Sequence, residues 1–150
     1  MKGSRRLARQ AVVQALYQWQ LNPSSCDEIE AEFLADPERL AGANQGFFLE
    51  LWRGVHAHLE ALDPLIAAQI PDRNWTSEIS EVERAILRLA AYELRYHPQT
   101  PYRVIINEAI ELGKGFGAEQ GHRFVNAVLD KLAQEWRGVE FMTKSQTSSG

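Results

Sequence analysis

The sequence predicts an all-α protein with a lobe boundary near its middle, on three observations. Apolar residues recur three or four positions apart through most of the 150 residues. Proline and glycine interrupt that rhythm at intervals of one helix length. No window alternates with period two over a useful length, so no sheet is expected. A hydrophobic content of 45% is ordinary for a globular chain. The length suits one domain, or two small lobes sharing a core.

The elements follow in order. Over 5–21, Ala8, Val12, Ala15, Leu16 and Trp19 make the stripe of a first helix, and Asn22-Pro23 stops it. Ser25 and Glu28 have capping-box spacing for a second, carrying Ile29, Phe33 and Leu34, which Pro37 interrupts. A third runs over 45–62 on Phe48, Leu51, Trp52, Val55, Leu59 and Leu62. Asp63-Pro64 then reads as an N-cap and first-turn proline, opening a short helix through Ile70. Pro71 to Ser77 is polar and turn-like, and the lobe boundary is set there. Thr76 or Ser77 caps a helix to Tyr96, ended by His97-Pro98. Thr100-Pro101 opens the next, closed by Gly115 and Gly117. The last spans about Glu119 to Trp136, and the small polar tail 142–150 is expected to be disordered.

Charge narrows the function. The first 26 residues hold Lys2, Arg5, Arg6 and Arg9 and no acid. The chain has 16 basic and 20 acidic residues, so setting those four aside leaves 12 against 20. A basic end on an acidic body suits a polyanion, nucleic acid being the commonest; the plainer alternative is a solvated terminus. The basic start resembles that of a signal peptide, but Gln10, Gln14, Gln18 and Gln20 break the apolar stretch behind it. No run of about 20 apolar residues could span a membrane. The single Cys26 permits no internal disulfide and fits a reducing cytoplasm.

On a helical wheel Leu7, Ala8, Ala11, Val12, Ala15, Leu16 and Trp19 cover half of the first helix. Arg6, Gln10, Val13 and Tyr17 line the other half. A tyrosine ring beside guanidinium and amide groups suits unstacked bases, or it packs on another helix. In the last helix Val125, Val128, Leu129, Leu132 and Trp136 form the stripe, with Phe124 at its margin and Arg123 outside. That pair reads as a second stacking platform or as core. On the helix ending at Tyr96, Arg84, Arg88 and Arg95 form the solvent stripe. Glu83 and Glu93 fall into the apolar arc, which calls for an internal salt bridge or a protein partner.

Catalytic signals are poor. His56 and His58 are two apart and diverge, His97 lies in a turn, and Cys26 has no evident base. ELGKGFG lacks phosphate-loop spacing, and there is no HExxH. No catalytic residue, metal site or cofactor is expected.

The segments RRLARQAVVQALYQWQ, EVERAILRLAAYEL and PYRVIINEAIELGKGFGAEQGHRFVNAVLDKLA, in order from Arg5 to Ala133, resemble the NusB family of bacterial transcription antitermination factors. The resemblance implies two three-helix-type lobes, about 1–72 and 73–141, and a cytoplasmic RNA-binding factor rather than an enzyme. It implies binding to boxA RNA together with NusE, a small-subunit ribosomal protein. That complex would join RNA polymerase and other Nus factors, notably in ribosomal RNA transcription. The basic arm and first helix would contact RNA through Lys2, Arg5, Arg6, Arg9, Gln10 and Tyr17. Arg123 and Phe124 match a second RNA-contacting region, and Glu83 matches a position near the NusE surface. The RNA and NusE surfaces are expected on different faces. Gln120 stands where relatives carry an acid, and Ala127 replaces the glycine of the usual FVNGVLD. Two alternatives stay open: a helical scaffold or homodimer without RNA contact, and the front end of an RNA cytosine methyltransferase. The absence of a cofactor-binding region before Gly150 argues against the second.

Overall fold

The computed structural model describes residues 3–116 and 121–140. They hold six α-helices and no strand: α1 (Arg5–Leu21), α2 (Cys26–Ala35), α3 (Gln45–Ala67), α4 (Glu81–Tyr96), α5 (Tyr102–Gly115) and α6 (His122–Trp136). Four begin on a side-chain cap, which satisfies one of the amides every helix start leaves unpaired. Ser4 Oγ accepts from Leu7 N, Ser25 Oγ from Asp27 N, Asn44 Oδ1 from Phe47 N and Ser80 Oγ from Glu83 N, at 3.0 to 3.1 Å.

The expected start of α4 is corrected. Thr76 and Ser77 do not cap it, because Asn74 Oδ1 accepts both of their amides at 3.0 Å and curls the segment into a turn. Trp75 and Ile79 sink into the core from that turn. Ser80 and Glu83 then supply the S-x-x-E start, with Ser80 Oγ donating to Glu83 Oε1 at 2.8 Å. The separate helix opening at Asp63-Pro64 is also corrected: α3 runs unbroken to Ala67 with Pro64 inside it. A proline in the last turn removes one amide bond and leaves little helix to disturb. Asp63 is no cap; it holds Arg88 by two hydrogen bonds of 3.0 and 2.8 Å. Pro101, not Thr100, occupies the cap position of α5, without a side-chain bond.

Helix α4 is the hub. It packs on α1, α3, α5 and α6, and every residue from Arg84 to Leu94 is buried. α1, α2 and α3 also pack on one another, and α5 packs on α6. Helix α4, on the C-terminal side of the expected boundary near 71–77, thus packs on helices from both sides of it, and the lobe division stands as a proposal. The solvent stripe expected for α4 is wrong in two of its three members, because Arg84 and Arg88 are buried and only Arg95 is exposed. The Arg84 guanidinium donates to the carbonyls of Thr76 and Ile79. Arg88 joins Asp63 to Gln20 of α1 and lies 5.6 Å from the Trp19 ring and 5.7 Å from that of Trp75. Beyond α6, buried Arg137 donates to the carbonyls of Glu93, Leu94 and His97, which closes the C-terminal end of α4.

Arg9 of α1 and Glu93 of α4 form a bidentate pair at 2.9 and 2.8 Å, their side chains 5% and 2% exposed. The internal salt bridge is thus the right reading for Glu93, with Arg9 as its partner. Either charge alone would be stranded in the core. Arg9→Ala is expected to lose about 3–5 kcal/mol in urea unfolding. A loss below about 1 kcal/mol, the range of exposed pairs, would show that water reaches the pair.

His56 lies edge-on to Trp19 and Trp52, at 4.8 and 4.2 Å between ring centroids. Burial, helped by the nearby Arg88 charge, lowers its pKa from 6.5 to about 4. Between those values the unfolded chain binds a proton that the folded one refuses, so stability falls as the pH drops through that window. Thermal unfolding of His56→Phe is expected to depend less on pH from 6.5 down to 4. An identical slope in both proteins would remove His56 from the acid response.

Candidate nucleic-acid interface

The outer face of α1 carries the candidate residues, and packing sorts them. Arg9 is 4% exposed and turned inward, so the expectation that it contacts RNA is corrected by its bond to Glu93. Arg5 stays outside, its guanidinium 4.4 Å over the Phe47 ring at the start of α3. Arg6 is also outside, with a side chain 58% exposed, and binds Glu108 of α5 through two hydrogen bonds of 3.0 and 2.9 Å. Those bonds, and then the carboxylate's charge, raise the Arg6 pKa further. Gln10 is half-buried. Tyr17 is 39% exposed, as its place on the wheel predicts. Val13, placed on the same open half, is buried instead, because α1 is covered by α2, α3 and α4 rather than by one neighbour.

Beside Tyr17 lies a groove of ≈ 300 Å³ lined by Val13, Gln14, Tyr17, Val82 and Phe116. Residues from three distant stretches meet there. Gln14, Val82 and Phe116 were missed by sequence reasoning. Phe116 lies within ELGKGFG, where it reads as part of a helix end and carries no periodic signal.

The other two candidates are on α6. Arg123 is exposed, and Phe124 is half-buried with the Arg73 guanidinium 4.7 Å over its ring. Arg73 lies in the α3–α4 turn and carried no sequence signal. Glu83 is half-buried, holds Ser80 Oγ, and lies so close to Gly121 that a β-carbon there would strike its carboxylate. Gly121 is two residues from Arg123. Glu83 thus meets the start of α6. Ala127 is exposed, so its methyl does not alter how α6 meets its neighbours within the chain. Lys2, Gly117, Glu119, Gln120 and the tail 142–150 lie outside the described residues.

The chemistry of the described residues is that of binding. They include no group of three or more His, Cys, Asp or Glu able to hold a metal ion. His56 sits between tryptophans while His58 stacks on Tyr96 at 4.0 Å, so the two imidazoles diverge. Burial, then the charges of Asp27 and Glu30, pushes the Cys26 thiol up, which weakens it as a nucleophile. No described helix is long and apolar enough to cross a membrane.

The NusB family model matches residues 6–134. The chain belongs to the NusB family. It is 46% identical over 145 residues to the transcription antitermination protein NusB of Nitrosococcus oceani, covering 97% of this chain and 95% of that one. It is 48% identical over 138 residues to the NusB of Idiomarina loihiensis, covering 89% and 94%. Among solved structures, NusB of T. maritima superposes with a TM-score of 0.81 at 34% identity, over 95% of this chain and 99% of that one. The same fold recurs, at 22% identity and a TM-score of 0.78, in a complex of the antitermination factors NusB and NusE with double-stranded RNA, over 88% of this chain and 97% of that one. The family is one of transcription antitermination factors and not of enzymes, so the methyltransferase alternative falls.

Glu108 competes with any incoming phosphate for Arg6. Glu108→Gln is expected to raise affinity for single-stranded RNA severalfold, most at low salt. Unchanged affinity in filter binding would mean that Arg6 keeps its α5 partner in the bound state.

Proposed function

We propose that this chain is an RNA-binding antitermination factor that binds boxA-type RNA together with a NusE-type ribosomal protein. Through that complex it acts on RNA polymerase with other Nus factors, notably during ribosomal RNA transcription in the bacterial cytoplasm. The observation that carries the reading is the sorting of the α1 face. One arginine is spent inside, while Arg5, Arg6 and Tyr17 remain outside on the same helix. Arginine neutralises phosphate and stacks, and the tyrosine ring offers a surface to an unpaired base. Membership in a family of antitermination factors supports the same reading.

Arg123 and Phe124 are proposed as a second contact, with Arg73 added because its guanidinium covers the Phe124 ring. Gln10 stays in the set as a half-buried amide at the edge of the α1 face. Glu83 is proposed for the NusE-type partner. Its closeness to Gly121, where α6 begins, supports a partner surface at the meeting of the α4 and α6 starts. If both partners then touch one RNA, each must raise the other's affinity by the same factor.

The test is a titration of labelled boxA-type RNA at several salt concentrations, with and without NusE. Joint Arg5→Ala and Arg6→Ala substitution should reduce the slope of log K against log salt by about 0.7 for each phosphate that is no longer neutralised. Tyr17→Ala should cost about 1–3 kcal/mol in binding. It should leave thermal stability within about 0.5 kcal/mol, as for other exposed positions. An unchanged slope together with self-association would instead favour the homodimeric scaffold.

A further inference from the structure

The first described residues are fastened to the loop between α2 and α3. Ser4 N donates to Gly42 O at 2.7 Å, and Asn44 N donates to Ser4 O at 3.0 Å, a short parallel bridge centred on Ser4 and Ala43. Two of the residues in these bonds are also helix caps, Ser4 for α1 and Asn44 for α3. The two helix starts are thereby held side by side, with Arg5 of one over Phe47 of the other.

Glycine is required at the outer end of this bridge for two separate reasons. Gly3 has φ +87°, a backbone conformation that L side chains rarely adopt. A β-carbon there would also stand 2.5 Å from Ala43 O and 2.8 Å from Asn44 N. Across the bridge, Gly42 has φ +75°. The bridge buries little, since Gly3, Arg5, Arg6 and Gly42 are all exposed and Ser4 is half-buried. Two hydrogen bonds in so open a place add little to global stability. Their effect is local: they hold a chain end and the first turn of a helix, which otherwise fray.

We propose that Gly3 and Ser4 are positioning residues for RNA. Their bridge to Gly42–Asn44 orders the first turn of α1 before RNA arrives, so Arg5 and Arg6 meet the phosphates already in place. The α2–α3 loop thereby becomes part of the RNA site without touching RNA. The gain comes from ordering that need not be done on binding. This inference rests on the RNA reading of the α1 face.

The experiment compares three full-length chains by titration with a short single-stranded RNA and by thermal unfolding. They are the unsubstituted chain, Gly3→Ala, and a chain with D-alanine at position 3. The last is made by joining a synthetic thioester of residues 1–25 to 26–150 at Cys26, the one cysteine of the sequence. L-alanine disfavours positive φ and strikes Ala43; D-alanine favours positive φ and carries its methyl on the other side of the α-carbon. Gly3→Ala is expected to weaken RNA binding about tenfold while the unfolding midpoint barely moves. The D-alanine chain should bind within about twofold of the unsubstituted one. Equal binding by Gly3→Ala, or a D-alanine chain as weak as Gly3→Ala, overturns the proposal. If the unsubstituted chain binds no RNA, alone or with NusE, the RNA reading itself fails and this inference falls with it.

Discussion

The bidentate pair between Arg9 and Glu93 is the constraint on which the rest of the arrangement depends. It joins α1 to α4 across 84 residues of sequence inside the core. In so dry a place neither charge tolerates the loss of the other, so the pair sets the rotation of α1 about its own axis. Arg9 stands at the margin of the α1 core stripe, and Arg6 and Tyr17, about 60° and 80° further round the helix from that stripe, stay exposed. The Phe47 ring completes the arrangement, lying under the guanidinium of Arg5 at 4.4 Å and near that of Arg9 at 5.2 Å. The ion pair keeps Arg9 inside while Arg5 and Arg6 of the same basic segment stay exposed.

Helix α4 carries that choice to the rest of the molecule. Its N-terminal end is closed by Ser80 and Glu83 and its C-terminal end by Arg137. Its buried arginines reach carbonyls, Asp63 and Gln20, and only Arg84 Nε is left without a partner among their buried nitrogens. The beginning of α4 meets that of α6 where Glu83 lies against Gly121. Two helix starts converge there, although about 40 residues of sequence separate them.

Much of this was legible in the sequence. The bounds of α1 match the expected 5–21, and of the expected α3 stripe Phe48, Leu51, Trp52, Val55 and Leu62 are buried while Leu59 is half-buried. The exposed Tyr17 and the diverging His56 and His58 also followed from the wheel. Misreadings gathered where a polar side chain had two uses. Asp63 before a proline looks like a cap, yet it serves Arg88. Thr76 and Ser77 look like caps, yet Asn74 holds both their amides. Of the candidate site, the exposed members of α1 could be read from one helix, whereas Arg73, Val82 and Phe116 could not, because their relevance comes from neighbours brought in by folding.

The sequence by itself determined the helical class, the bounds of α1, the basic end and, through its motifs, the family. These properties depend on residues a few positions apart, and local sterics and periodicity act at that range. Only the tertiary structure decided that Arg9, Arg84 and Arg88 lie inside while Arg5, Arg6 and Arg123 lie outside. A guanidinium can be buried only where folding brings it an acceptor, and for Arg9 that acceptor is Glu93, on another helix. No pattern within α1 encodes that meeting, so the division of its arginines between core and surface was settled by packing.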